Sequence, residues 1–207
     1  MDIGISEILV LGLSYLLGAV PFGLVITRLA GLGDIREIGS GNIGATNVLR
    51  TGRKDLAFVT LFLDAGKGAI AVLVTGLIVG RPDLAAAAGL AAFIGHCFPV
   101  YLKFQGGKGV ATFFGTLFAV SPLIGAIATI AWLSTAALFR MSSLAGLVSA
   151  AAAPVASYYL VTGDDWFFVA GMTLMIFVRH HENIGRILSG TESKIGKRPK
   201  KDDEASE

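Results

Sequence analysis

Three short stretches concentrate the residues able to do chemistry. Residues 36–50 read REIGSGNIGATNVLR, in which Gly39, Gly41 and Gly44 alternate with Ser40, Asn42, Thr46 and Asn47, and Arg50 closes the run. Glycines let the backbone turn N–H groups outward, the hydroxyls and amides add donors, and a guanidinium adds charge, so the stretch is suited to hold an anion. A connecting loop with a helix N-cap at Asn42 or Thr46 needs only a few such residues. The density of donors favours the anion site. Residues 95–112 read GHCFPVYLKFQGGKGVAT, where Gly106, Gly107 and Gly109 bracket Lys108. Close backbone approach and an ammonium again suit an anion. This is not a Walker loop, because no glycine stands five residues before Gly107 and Gly109 replaces the hydroxyl that would hold magnesium. Taken alone, Lys108 fits a snorkelling side chain equally well, and His96 a hydrogen-bonded packing residue.

Residues 178–190 read VRHHENIGRILSG and set Arg179, His180, His181, Glu182, Asn183 and Arg186 side by side. Adjacent histidines do not share one helix face, so no zinc pair is implied. A cationic membrane-edge anchor accounts for Arg179 and Arg186, but not for Glu182 and Asn183. Ser142 and Ser143 follow Arg140; one serine suffices as an N-cap, which leaves the other free to face a ligand. Asp64 and Lys67, three residues apart in an apolar run, read as a structural ion pair that supports the site.

The elements that must position these groups are membrane helices. Hydrophobic residues make up 54% of the 207 and charged residues 15%, with mean hydropathy +0.71, a balance outside that of ordinary soluble domains. The net charge of +2 is small and does not suggest nucleic acid. Cys97 is the sole cysteine, which excludes an internal disulfide and a cysteine metal site. Asp2 and Glu7 stand where a signal peptide would carry basic residues, so the first apolar run is expected to be retained. Apolar runs lie at 8–30, 57–79, 84–102, 110–120, 123–139, 144–161 and 166–178. About 20 residues cross a ~30 Å hydrocarbon core; the fourth run rises only ~17 Å as a helix.

Counting that run as a span gives an all-α bundle of seven transmembrane helices with the N-terminus out and the C-terminus in. All the lysines and arginines except Arg81 and Lys67 then fall on the cytoplasmic side, as the positive-inside rule requires. Asp164 and Asp165 fall in an external loop. Without the fourth crossing, Arg140 and the basic tail change sides. Residues 1–193 form one membrane domain, and 194–207 a charged tail without apolar periodicity. Gly66, Gly68, Gly89 and Gly146, inside the helices, read as sites of close helix packing.

The three stretches, with LFLDAGKG at 61–68, resemble the bacterial acyl-phosphate:glycerol-3-phosphate acyltransferases, the PlsY family. The likeness runs over nearly the whole chain before the tail, and His96 and Pro99 also take the places of the family pattern. It implies a cytoplasmic active site in the inner membrane that makes lysophosphatidate from glycerol 3-phosphate and acyl phosphate and releases phosphate, the first step of phospholipid synthesis. Carried onto matching positions, phosphate-binding roles fall on Ser40, Arg50, Lys108 and Asn183. Gly41, Asn42, Thr46, Asn47, Gly106, Gly107 and Gly109 belong to the same substrate-binding motifs. Ser143, His96, His180 and Glu182 line or support the site, with His180, Ser143 and Glu182 as the catalytic set. Acyl phosphate is already activated, so neither a cofactor, ATP nor a metal is demanded, and the expected partners are the two substrates and membrane lipid, without an obligatory protein partner. Transfer is expected to be direct: His96 and Cys97 point about 100° apart on a helix, a poor nucleophile and base pair. His180, titrating near neutrality, or the substrate phosphate takes the proton. An acyl-CoA enzyme of the HxxxxD pattern is disfavoured, because Tyr101, Gly185 and Arg186 stand five residues after the three histidines. A transporter would need a polar path to both faces, whereas these motifs gather on one.

Overall fold

The structure, a computed structural model, describes residues 4–160 and 166–196; Asp164, Asp165 and residues 197–207 of the tail lie outside the described residues. Every regular element described is helical: α1 (Ile5–Ala19), α2 (Phe22–Leu29), α3 (Ala45–Leu49), α4 (Lys54–Val79), α5 (Pro82–Cys97), α6 (Val110–Val120), α7 (Pro122–Phe139), α8 (Ser142–Leu160), α9 (Trp166–Arg179) and α10 (His181–Leu188), with 3-10 turns at Ile35–Glu37 and Val100–Leu102. Five stretches are long and apolar enough to cross a membrane: Ile5–Leu29, Lys54–Val79, Pro82–Leu102, Pro122–Phe139 and Ser142–Leu160. Val110–Val120 and Trp166–Arg179 are apolar but shorter. The first stretch is broken at Val20 and Pro21, because proline has no N–H to continue the ladder.

The burial pattern suits hydrocarbon as the solvent. On α4, Phe58, Phe62 and Leu77 face outward while Thr60, Asp64, Lys67 and Thr75 are buried, the inverse of a soluble amphipathic helix. Glycines bring helix backbones together: a Cβ on Gly18 would lie 1.9 Å from the Ala92 carbonyl oxygen, and one on Gly115 the same distance from that of Ala65. Of the glycines expected to pack, Gly68 meets Thr112 and Thr116, and Gly89 meets Thr116 and Val72. Gly146 approaches Val110 less closely. Gly66 meets nothing within 4 Å, so close packing does not explain it. An apolar core of Phe93, Phe113, Leu117, Leu147, Met172 and Ile176 ties α5, α6, α8 and α9 together beneath one end of the bundle.

Contacts between connections identify that end. Arg179, at the end of α9, reaches Gly106 and Gly107, and Arg140, at the end of α7, bonds Ile195. At the opposite end Arg81 pairs with Glu7 and Asp83, and Val120 lies near Gly80 and Pro82.

Candidate active site

The first motif is organised by one amide. Asn47 is 1% exposed, donates to the Ile35 and Ile38 carbonyls at 2.9 Å each, and accepts from the Ser40 backbone, from Ser40 Oγ and from Arg50. Its hydrogen-bonding capacity is spent within the loop, so Asn47 is an organiser and not a free ligand. Gly39 has φ 61°, and a Cβ there would lie 2.6 Å from Asn47 Oδ1 and 2.7 Å from the Arg50 guanidinium. Only glycine both adopts that backbone and leaves Arg50 its place. The helix that follows is capped by Gly44 without a side-chain bond, so neither Asn42 nor Thr46 is the N-cap. Asn42 instead accepts from the Ile43 N–H, and Thr46, like Ser40, is exposed.

The second motif leaves α5 through Pro99 and turns sharply at Lys103 and Phe104, both left-handed at φ 52° and 64°, a conformation non-glycine residues rarely hold. It then lies directly on the end of α5. The Gly107 N–H donates to the His96 carbonyl at 3.0 Å, and a Cβ on Gly107 would lie 2.1 Å from His96 Nε2. Arg179 closes the loop from the side, Nε on the Gly107 carbonyl at 3.1 Å and Nη2 on that of Gly106 at 2.8 Å. So anchored, Lys108 donates its ammonium to Asn183 Oδ1. Burial, reinforced by Arg186, holds its pKa below the ordinary lysine value.

The third motif folds back on itself. Gly190, at φ 73°, ends the turn after α10, and the N–H groups of Thr191 and Glu192 bond the Arg186 carbonyl. Glu192 therefore returns toward Asn183. Its Oε1 accepts from Ser143 Oγ at 2.6 Å and from Asn183 Nδ2 at 2.7 Å, and its Oε2 accepts from Arg186 Nε at 2.7 Å. Ser193 Oγ accepts from Arg50 Nη2 at 3.0 Å. Burial alone would raise the Glu192 pKa, but the bonds from Ser143, Arg186 and Asn183 hold it below the ordinary glutamate value.

Hydrogen bonds join Ser40, Asn47, Arg50 and Ser193 in one cluster and Lys108, Asn183, Ser143, Arg186 and Glu192 in a second, and the chain from Glu192 to Ser193 links the two into one donor network. Glu182 does not join it. Its side chain is 67% exposed and lies 3.8 Å from Arg186, because the position before the inward Asn183 is turned about 100° away on the helix. Glu192, not Glu182, is the carboxylate hydrogen-bonded within the network. His96 lies beneath the glycine loop, its imidazole facing Asp64 and Gly107. Ser142 is the first residue of α8, while Ser143 points to Glu192. The chain is still held at Ile195, whose N–H donates to the Arg140 carbonyl at 2.6 Å.

His180 is 3% exposed, and its Nδ1 lies 2.8 Å from the Ile176 carbonyl. A carbonyl only accepts, so Nδ1 carries the proton and Nε2, facing Gly146, is free to accept one. Burial pushes the His180 pKa down to about 4; the expectation of titration near neutrality fails because the desolvated imidazole resists charging. Beside these groups runs a groove of about 310 Å³ lined by apolar side chains, among them Leu144, Leu147, Ala151, Phe177 and Ile184. Leu144 and Ile184 adjoin Ser143 and Asn183, so donors and groove share α8 and α10.

Arg179, Arg186, Glu192 and Ser193 also shape the candidate site, though no motif singles out Glu192 or Ser193 and the two arginines read equally as membrane-edge anchors. Gly190 just past a helix end was the one available signal of a chain reversal there.

The glycerol-3-phosphate acyltransferase family model matches residues 8–190. A glycerol-3-phosphate acyltransferase of Jannaschia sp. (strain CCS1) is 60% identical over 185 residues, covering 89% of this chain and 91% of that one. Another, of Cereibacter sphaeroides (strain ATCC 17025 / ATH 2.4.3), is 51% identical over 210 residues and covers 100% of this chain and 99% of its own. Two crystal structures of PlsY (YgiH), an integral membrane glycerol 3-phosphate acyltransferase, superpose over 92% of this chain and 96% of theirs. The glycerol 3-phosphate form has TM-score 0.87 at 38% identity, and the lysophosphatidic acid form 0.85 at 36%.

Proposed function

The chain belongs to the glycerol-3-phosphate acyltransferase family, and from that premise we propose how it does its work: an acyl group passes from acyl phosphate directly to the 1-hydroxyl of glycerol 3-phosphate, giving lysophosphatidate and inorganic phosphate. One observation carries the reading. Lys108, Ser143 and Asn183 are drawn together beside a wholly apolar groove, and Arg50 is tied to Ser193, the residue after the Glu192 that bonds Ser143 and Asn183. A small dianion and an anionic head on a fatty chain need donors and a greasy channel side by side.

Arg50, Ser40 and Lys108 hold substrate phosphate, Asn183 and Ser143 orient the reacting groups, and the fatty chain lies along Leu147 and Ala151. The hydroxyl oxygen attacks the acyl carbonyl carbon. The new C–O bond forms, the bond to the phosphate oxygen breaks with its electron pair on phosphate, and the hydroxyl proton is lost. A substrate phosphate monoester, with a second pKa near 6, is a stronger base than His180 at about 4, so the proton goes to phosphate while His180 Nε2 accepts a hydrogen bond. Donors of the glycine-rich loops steady the developing oxyanion. Cys97 is fully buried under Gly109, which supports transfer without an acyl-enzyme.

The chain crosses the bacterial inner membrane seven times, N-terminus out, C-terminus and site on the cytoplasmic side. Support comes from α6, which runs from Gly109 at the site end to Val120 near Gly80 at the other. Its ~17 Å against a ~30 Å core sets Lys108 at a recessed depth, within reach of a membrane-borne donor. Purified protein given acyl phosphate and glycerol 3-phosphate should release lysophosphatidate and phosphate. Turnover with acyl-CoA only would refute the donor assignment. Ala151→Phe, which fills the groove, should slow long-chain donors more than short ones; equal slowing would place the chain elsewhere.

A further inference from the structure

The most deeply buried charges lie outside the donor network. Asp64, Lys67 and His96 are each no more than 3% exposed. Lys67 Nζ donates to Asp64 Oδ1 at 2.9 Å and to the Val20 carbonyl at 3.2 Å, where the first span breaks. Asp64 Oδ1 lies 3.6 Å from His96 Nδ1, and the Asp64 carbonyl accepts from Thr112 Oγ1 at 2.8 Å. We propose that Asp64 and Lys67, acting through His96, are positioning residues that set the Lys108 loop against the donor network.

The geometry brackets that loop on both sides. Before Lys108, the His96 carbonyl takes the Gly107 N–H, and its ring fills the space under Gly107 so closely that a Cβ would lie 2.1 Å from Nε2. After Lys108, Thr112 in the first turn of α6 is tied to Asp64, and Gly68, one residue past Lys67, packs on the Thr112 carbonyl. One turn of α4 thus faces the near end of the stretch through the His96 ring, 3.6 Å from Asp64, and holds its far end through the Asp64 backbone carbonyl and Gly68. Stability alone gives no reason for the pair, since well-packed apolar residues often replace a buried ion pair at no loss. A positioning role does: misplacing a catalytic group by about 1 Å costs on the order of 100-fold. Lys67 draws Val20 into the same cluster, so the break in the first span and the glycine loop share one support.

The inference rests on Lys108 as a phosphate-binding residue, and a double-mutant cycle separates the two claims. The variants are D64N/K67M, which removes both charges together, H96L, K108A, and K108A combined with each of the others. Insertion and melting temperature are followed beside kcat and KM for glycerol 3-phosphate. Expected results are a ten- to hundredfold loss of kcat/KM in folded D64N/K67M and H96L, and a combined loss with K108A no greater than that of K108A alone, because groups that act through Lys108 have nothing left to position. Losses that multiply, or full activity in a folded D64N/K67M or H96L, overturn the positioning role. Near-normal turnover of K108A overturns instead the assignment of Lys108. Should D64N/K67M fail to accumulate, H96L and H96Q, which leave the ion pair in place, decide alone by the same criterion.

Discussion

Glu192 holds three partners on two helices, Ser143 on α8 and Asn183 and Arg186 on α10, so its removal is the sharpest perturbation of this network. Its side chain is 4% exposed and accepts from Ser143, Asn183 and Arg186 at 2.6, 2.7 and 2.7 Å. Hydrogen bonds to a charged group contribute about 1.5–3 kcal/mol each, but the three share one carboxylate and are not additive. Glu192→Ala removes all three bonds at once, but Arg186, whose side chain is 39% exposed, regains water, so the change should cost about 3 kcal/mol, the upper end for one hydrogen bond to a charged group. That is roughly 6–12 °C in melting temperature for a chain of this size. Glu192→Gln keeps one acceptor oxygen for Ser143 and Asn183 but turns an amide donor toward Arg186, so it should cost less. The pH dependence has a definite sign. The folded pKa lies below the ordinary 4.5, so the contribution is intact above that value and is lost as pH falls through the folded value. Thermal melts of the three proteins across pH 3–7 are the assay. A Glu192→Ala protein that melts within a degree of the parent, with the same acid limb, would refute the keystone reading of this carboxylate.

Arg50→Ala removes a charge-assisted phosphate contact of about 2–4 kcal/mol, a thirty- to thousandfold loss; near-normal turnover at limiting glycerol 3-phosphate counts against it. His180, neutral down to about pH 4, should contribute no limb near pH 6.5 to the pH–rate profile, and such a limb lost in His180→Gln would contradict its burial. Cys97→Ser should stay active, and radiolabel from acyl phosphate should not remain on denatured protein; retained label would overturn direct transfer. Reporter fusions should place the N-terminus outside and the C-terminus inside, and a cytoplasmic N-terminus would end the seven-crossing topology.

Much of this molecule is written in local sequence. Helices of a membrane protein declare themselves by apolar length, and the break at Pro21 and the turn at Gly190 follow from what proline and glycine backbones permit. The pairing of Asp64 with Lys67 follows from three-residue spacing on one helix. The donor-rich motifs are legible too, because hydroxyls, amides and guanidiniums gathered in three stretches stand out in an otherwise apolar chain. Other features depend on contacts across long separations, which no local pattern encodes. That Asn47 organises its loop, while Arg50 reaches Ser193 across 143 positions, follows only once the loops lie together. His180 looked like a neutral-range titrator by type, and burial against Ile176 made it a weak base. Glu182 and Glu192 are the same residue type within one short stretch of chain, but one faces solvent and the other is held by Ser143, Asn183 and Arg186. Helix phase turned the first outward and the reversal at Gly190 carried the second back, but only tertiary packing set Ser143, 49 positions away in the chain, where that carboxylate arrives.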